Sequence, residues 1–213
     1  IMGIKEVPLD VLVTGKTYLF FSHTFKKQMH NRKLLLALLA KKIRLIDYEL
    51  LTDEGGARLA AFGRYAGIVG AFKALRGWGL LHNLYDLKPA HKCRDRAEMD
   101  GELDQVEFDR PLKIVLTGKG RVAHGAREVL ERAGIQRVAP AAFLTQTFSQ
   151  SVYTDLSPLE YNRKKDGTPA KAMEFYTFPE RFESSFEQFS SLADIYLACH
   201  YWDNKAPLIF TAE

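Results

Sequence analysis

The chain has 213 residues, 46% of them hydrophobic, 26% charged and 12% aromatic, and a formal net charge of +4. That is enough apolar material for one large or two small domains with real cores, while the lack of any run of about 18 apolar residues argues against a membrane partner. The basic clusters (Lys26-Lys27, Arg32-Lys33, Lys41-Lys42 with Arg44, and Arg163-Lys164-Lys165) are scattered and interrupted by acids, unlike the continuous stripe of a nucleic-acid binder.

The first residues, IMGIKEVPLD, lack the basic-then-apolar order of a signal peptide and do not begin with Met, so a piece of a longer protein is expected. Residues 1–5 read as a short buried strand that ends at Pro8. Lys5 then lies at a strand's C-terminal end, where α/β folds tend to carry functional groups. Residues 17–22 (TYLFFS) are a β-rich apolar run with His23 directly behind it. There a histidine can be structural or an acid/base, its ordinary pKa being near neutrality. Residues 28–42 place Leu34, Leu35, Leu38 and Leu39 at the helical period. Residues 43–48 return to strand and bring Asp47 and Glu49 to its end, 52–56 form a turn, and 57–62 a short strand or extended entry. A helix follows from Gly63 to about Leu81. Its glycines each disfavour helix by about 1 kcal/mol relative to alanine, which predicts close approach of a neighbouring backbone.

Residues 85–108 are polar and read as a connection between lobes with one weak helix signal; Cys93 within them and Cys199 are far apart and in no metal spacing. One disulfide can form, but two free thiols in a reducing cytoplasm are expected, with no metal. Residues 112–116 form a strand that runs into Thr117-Gly118-Lys119-Gly120 and a helix closing at Gly134. Gly118 and Gly120 suit a tight turn and close approach to a pyrophosphate at the helix N-terminus, and Gly125 lets the helix pack on its strand. The spacing, G-x-G-x-x-x-x-G, is longer than the common dinucleotide fingerprint. In the next predicted strand, 135–138, and the residues after it, the acid that usually accepts from a ribose 2′-hydroxyl is missing, which permits NADP(H). Residues 157–178 read as an irregular excursion, 182–192 as a helix, and 193–199 (ADIYLAC) as a core strand with His200, Tyr201 and Trp202 at its end.

Four segments in this order, FFSHTFKKQMHNRKLLLALL, IRLIDYELLTDEGGARLAAFGRYAGIVG, IVLTGKGRVAHGA and ADIYLACHYW, resemble the lysine-forming saccharopine dehydrogenases. They are most similar to the lysine–2-oxoglutarate reductase domain of the aminoadipic semialdehyde synthases, within the wider alanine dehydrogenase/transhydrogenase superfamily. The resemblance implies an α/β fold of two Rossmann-like domains with a cleft between them, the first incomplete in this chain. Residues 1–62 would belong to the N-terminal substrate-side domain and 63–213 to the NAD(P)-binding domain. GIKEVP would carry a catalytic Lys5 and FFSHTFKKQ a catalytic His23. Lys26, Glu49 and Arg58 would bind substrate. Gly118, Gly120, Arg121, Val122, Gly125 and Tyr201 would bind NAD(P)(H), with NADP(H) slightly favoured. The implied reaction is reductive condensation of lysine with 2-oxoglutarate to saccharopine, or its reverse, in the cytoplasm; homo-oligomerisation stays open. Alanine dehydrogenase-type deamination and a non-catalytic nucleotide-binding homologue are the rival readings.

Overall fold

The computed structural model describes residues 1–201 and 203–210. The chain divides into two compact units, Ile1–Phe62 and Gly63–Glu213.

In the first unit, strand β1 (Thr17–Phe20) pairs in parallel with β2 (Arg44–Asp47), from Thr17 opposite Arg44 to Phe20 opposite Asp47. The crossover holds helix α1 (Arg32–Ala40). Tyr18 and Phe20 alternate inward on β1 and meet Leu12, Leu34 and Leu38 in a small core, the period-two burial expected of a strand with one packed face. The expected helix over 28–42 is shorter, because Met29–Asn31 forms a 3-10 turn and α1 begins only at Arg32. At its other end Lys42 takes φ +50° and the Ile43 N–H reaches the Leu38 carbonyl at 2.9 Å, a Schellman-type stop. Leu35 and Leu39 do not join the core but are exposed. The expected buried strand at 1–5 is also corrected. Its backbone bonds to β1, with the Gly3 N–H donating to the Leu19 carbonyl at 2.9 Å, yet Ile1, Met2 and Ile4 are solvent-exposed. Residues 57–62 form no strand beyond a single antiparallel bridge between Thr52 and Arg58.

The second unit opens with α2 (Gly63–His82), followed by α3 (Arg96–Glu102), whose N-cap Asp95 accepts from the Glu98 N–H at 2.9 Å. Segment 85–108 is not a solvated connection between lobes: Leu87, Met99 and Leu103 are buried in one core with Phe72 and Leu75 of α2. Next come β3 (Lys113–Thr117), α4 (Arg121–Arg132), β4 (Gln136–Arg137), α5 (Pro140–Thr145) and β5 (Val152–Leu156). The excursion carries short α6 (Pro158–Tyr161), β6 (Asn162–Lys164) and α7 (Ala172–Thr177). Residues 182–192 are not one helix. They split into β7 (Phe182–Ser184), antiparallel to β6, and α8 (Glu187–Ser190). Burial of Phe182 and a cross-strand Arg163–Glu183 ion pair at 2.7 Å favour pairing there, each such pair adding a few tenths of a kcal/mol to about 1. Strand β8 (Ile195–Ala198) completes an all-parallel sheet of order β4-β5-β3-β8. The sheet is buried on both faces, Ile114 and Leu116 on one and Val115 with Phe143 and Phe189 on the other, as parallel sheets require. Its strand C-terminal ends therefore converge beside the glycine turn that follows β3.

Candidate active site

In the unit Ile1–Phe62 three basic side chains meet a single carboxylate. Glu49 lies in the one-turn 3-10 helix Tyr48–Leu50 that follows β2, started by Asp47, whose side chain accepts from the Glu49 N–H at 2.9 Å. Parallel pairing in register carries residue 22 beside residue 49 beyond the last strand pair, so the turn after β1 faces the turn after β2. The Glu49 carboxylate is buried and meets His23 Nδ1 at 2.9 Å, Lys26 Nζ at 3.0 Å and Arg58 NH2 at 3.0 Å. Lys26 Nζ is also 3.5 Å from His23 Nδ1. The shorter contact to Glu49 assigns the Nδ1 proton to that bond, leaving Nε2 on the opposite edge, 3.6 Å from Glu6. Residues from four separate chain segments thus converge, and the resemblance had assigned four of them: His23, Lys26, Glu49 and Arg58. Lys5 stays outside the cluster, with its ammonium 5.9 Å from the Phe21 ring centre.

Burial raises the Glu49 carboxyl, but hydrogen bonds from Lys26 and His23 and the charges of Lys26 and Arg58 outweigh it and hold the group below its ordinary value. A depressed folded pKa adds stability above the unfolded value and loses it as pH falls through the folded one. Acid titration of the chain should therefore weaken the unit Ile1–Phe62 below about pH 4.5, followed by backbone amide exchange at Tyr48 and Glu49. In Glu49→Gln that loss should vanish, and an unchanged acid limb would contradict the paired carboxylate.

The second constellation is the turn from β3 into α4. Gly118 has φ +102°, and a Cβ there would lie 2.8 Å from the Cys199 carbonyl oxygen, so a side chain is excluded on both counts. Gly120 caps α4 and has no atom within 4 Å of its Cβ position, leaving open space over a 12-residue helix whose first N–H groups are free of intrahelical partners. Such an end suits a pyrophosphate, so the residues present fit a dinucleotide. Arg121 is exposed at the helix start, while Val122 packs against the start of α2. Gly125 packs α4 against α2, not against the strand as expected.

Two features of this end, the setting of Asp155 and the partners of His200, are not visible in local sequence. Asp155 of β5, the strand beside β3, is 2% exposed and ion-paired with Lys119 at 3.1 Å, Arg127 at 3.4 Å and Arg137 at 2.7 Å. An acid does lie beside this turn, but on this later strand, which inserts between β4 and β3. The second feature is His200, whose Nδ1 lies 2.7 Å from Thr117 Oγ1, itself 3.0 Å from the Tyr196 hydroxyl; burial lowers the pKa of His200. Tyr201, by contrast, is 85% exposed and lines a cavity of about 200 Å³ with Tyr176 and Pro179. Trp202 lies outside the described residues. Among the described residues no cluster of His, Cys, Asp or Glu is arranged to hold a metal, and no helix is long and apolar enough to cross a membrane.

No family model matches the chain. It is 33% identical over 241 residues to the alpha-aminoadipic semialdehyde synthase, mitochondrial, of Rattus norvegicus, covering all of this chain and 25% of that protein. Against the Arabidopsis thaliana alpha-aminoadipic semialdehyde synthase it is 26% identical, covering 23% of that protein. The saccharopine dehydrogenase [NAD(+), L-lysine-forming] of Emericella nidulans is 25% identical over 223 residues and covered to 51%. A solved L-alanine dehydrogenase aligns over 84% of this chain and 45% of its own, with a TM-score of 0.43 and 15% identity. The chain thus spans about a quarter of the synthases and half of the fungal dehydrogenase. It is homologous to the saccharopine dehydrogenase region that the α-aminoadipic semialdehyde synthases share with the lysine-forming saccharopine dehydrogenases.

Proposed function

We propose that this chain is part of an NAD(P)-dependent oxidoreductase that condenses the ε-amine of L-lysine with the ketone of 2-oxoglutarate and reduces the imine to saccharopine, or runs the reverse. Ile1–Phe62 would serve the substrate and Gly63–Glu213 the nucleotide. The observation that carries the reading is the Glu49-centred cluster, in which His23, Lys26 and Arg58 share one buried carboxylate.

The chemistry needs these types. A lysine amine with an ordinary pKa of about 10.4 must lose a proton before it attacks the ketone. His23, its Nδ1–H held by Glu49, has Nε2 left to take that proton and to return it to the carbinolamine hydroxyl, which departs as water. Lys5, outside the cluster, is the alternative base for the first step. Lys26 and Arg58 remain partly exposed and retain donors beyond those given to Glu49, so they can bind substrate carboxylates. A bound reduced nicotinamide would supply the hydride. Gly118 and Gly120 would admit the pyrophosphate to the α4 end, with Arg121 at its margin and Val122 and Gly125 holding the helix in place; Tyr201 would lie farther out.

NADP(H) is the favoured cofactor. Both Asp155 oxygens are engaged by cations, so the carboxylate is not free to accept from a ribose 2′-hydroxyl, and Lys119 and Arg137 are about half exposed. Cations that outnumber their carboxylate attract a 2′-phosphate. Free thiols at Cys93 and Cys199 support a reducing compartment, the cytoplasm or the mitochondrion of the rat relative's name.

The test is nicotinamide oxidation by the full-length protein with lysine plus 2-oxoglutarate, against pyruvate plus ammonia, each with NADPH and NADH. Turnover is expected with the first pair, at a lower KM for NADPH, and Arg137→Ala should raise that KM about tenfold or more with little change for NADH. Turnover only with pyruvate and ammonia would replace the substrate assignment, and nucleotide binding without turnover on either pair would replace the enzyme.

A further inference from the structure

Behind the Glu49 cluster lies a buried polar network that the proposed chemistry does not use. Ser22 is fully buried and Asp47 nearly so. The Ser22 hydroxyl donates to Asp47 Oδ2 at 2.5 Å, and the other Asp47 oxygen accepts from the Glu49 N–H at 2.9 Å. Because the single Ser22 proton is spent on Asp47, the 2.7 Å contact between Ser22 Oγ and Thr24 Oγ1 has Thr24 as donor, and the Thr24 N–H adds a second bond to Ser22 Oγ at 3.1 Å. His23, between these two residues, has φ +55°, a left-handed conformation that a residue with a Cβ adopts only when its surroundings impose it. The Asn31 side chain donates to the His23 carbonyl at 3.4 Å from the far side.

One carboxylate therefore ties the two halves of the site. Through Ser22 it fixes the turn that presents His23; through the Glu49 N–H it fixes the turn that presents the partner of His23. We infer that Asp47 is a positioning residue of this site, holding the His23 imidazole and the Glu49 carboxylate at their 2.9 Å separation through Ser22 and Thr24. Satisfied buried networks of this kind rigidify a single arrangement. Loosening such a support costs chemistry more than binding, since a displacement of about 1 Å can lower turnover by up to about 100-fold.

The inference rests on the catalytic reading of His23 for its consequence, but not for its geometry, and the two can be separated. In this chain labelled uniformly with ¹⁵N, the His23 ring signal is assigned by its loss in His23→Ala. It is expected to shift in Asp47→Ala and in Ser22→Ala, and to shift less in Asp47→Asn, whose amide oxygen can still accept from the Glu49 N–H while its NH2 donates to Ser22 Oγ and the Ser22 proton turns to Thr24. Amide signals of β1 and α1 report whether the first unit stays folded. Should Asp47→Ala unfold the first unit, Ser22→Ala and Asp47→Asn carry the comparison. An unmoved His23 ring with an unchanged Thr24 amide in Ser22→Ala overturns the inference. In the full-length enzyme, Ser22→Ala should lower kcat about 10-fold or more with KM for the nucleotide unchanged, and should cost nothing further in a His23→Ala background. An equal loss in both backgrounds also overturns it. A shifted ring with unaltered turnover supports the positioning role and removes His23 from the chemistry instead.

Discussion

Replacing Gly67 with alanine is expected to lower the stability of the second unit by about 3 kcal/mol or more, an overpacking cost at its upper range. The same change at Gly70, one turn along the same helix, is expected to raise stability by up to about 1 kcal/mol. The contrast comes from what each added Cβ meets. At Gly67 it would lie 1.8 Å from the Val122 carbonyl oxygen and 2.8 Å from the Ala126 nitrogen. These are backbone atoms of α4 and cannot swing aside as the tip of a side chain would. Reciprocally, a Cβ on Gly125 would lie 1.9 Å from the Arg64 carbonyl oxygen. Helices α2 and α4 therefore cross in backbone contact at a pair of facing glycines, and Arg64 reaches over the crossing to grip Glu128 with two bonds of 2.6 and 2.7 Å. At Gly70 nothing lies within 4 Å, and only helix propensity is left to act. Denaturant unfolding followed by the fluorescence of Trp78, on α2, reads both variants. If Gly67→Ala proves as stable as Gly70→Ala, the crossing is not this close. The crossing also bears on the site, because it fixes α4, whose N-terminal end carries Gly120.

The glycine helix shows where sequence suffices. Its density of glycines needs a facing backbone, its span ran from Gly63 to about Leu81 by pattern, and the helix ends at His82. The glycines after β3 and the helix that closes at Gly134 were equally legible, because both signals are local. What failed was non-local. Strand β5 lies between β4 and β3 in space but after both in sequence, so the acid beside the glycine turn, Asp155, could not be found by counting forward to the next strand. Residues 182–192 carry apolar side chains at a spacing that suits a helix, but pairing with β6 claims Phe182–Ser184 for a strand. Leu35 and Leu39 look like Leu34 and Leu38 to a period argument, and only the direction of the first unit's core separates them. In the candidate site, position alone favoured a structural His23. The resemblance assigned His23, Lys26, Glu49 and Arg58, and their meeting on one carboxylate is a fact of the fold. Ser22 and Asp47 carried no sequence signal beyond their place at strand ends, because a buried hydrogen bond between residues 25 apart leaves none.

On the proposed reaction, His23→Ala in the full-length protein is expected to lower kcat by about 10²- to 10⁴-fold, the usual contribution of a positioned acid/base. The His23 side chain is 24% exposed, so the stability cost should be limited to the lost bond to Glu49, about 1 kcal/mol. Glu49→Ala should behave differently. Its side chain is 3% exposed and is shared by His23, Lys26 and Arg58, so its loss leaves the cluster without its only buried carboxylate acceptor besides Asp47. A stability cost of about 1–3 kcal/mol should accompany the loss of turnover. The Lys26 and Arg58 head groups can turn back to water, which keeps that cost below the value for a fully enclosed pair. If the two residues act as one unit, the double variant should lose no more kcat than the worse single variant, because an imidazole without its orienting carboxylate has already lost most of its effect. Additive losses would mean that Glu49 serves substrate binding on its own account and that His23 holds its proton-transfer geometry without it. That outcome would move the acid/base role toward Lys5, which lies outside the cluster and above the Phe21 ring, and Lys5→Ala would then have to show the larger loss.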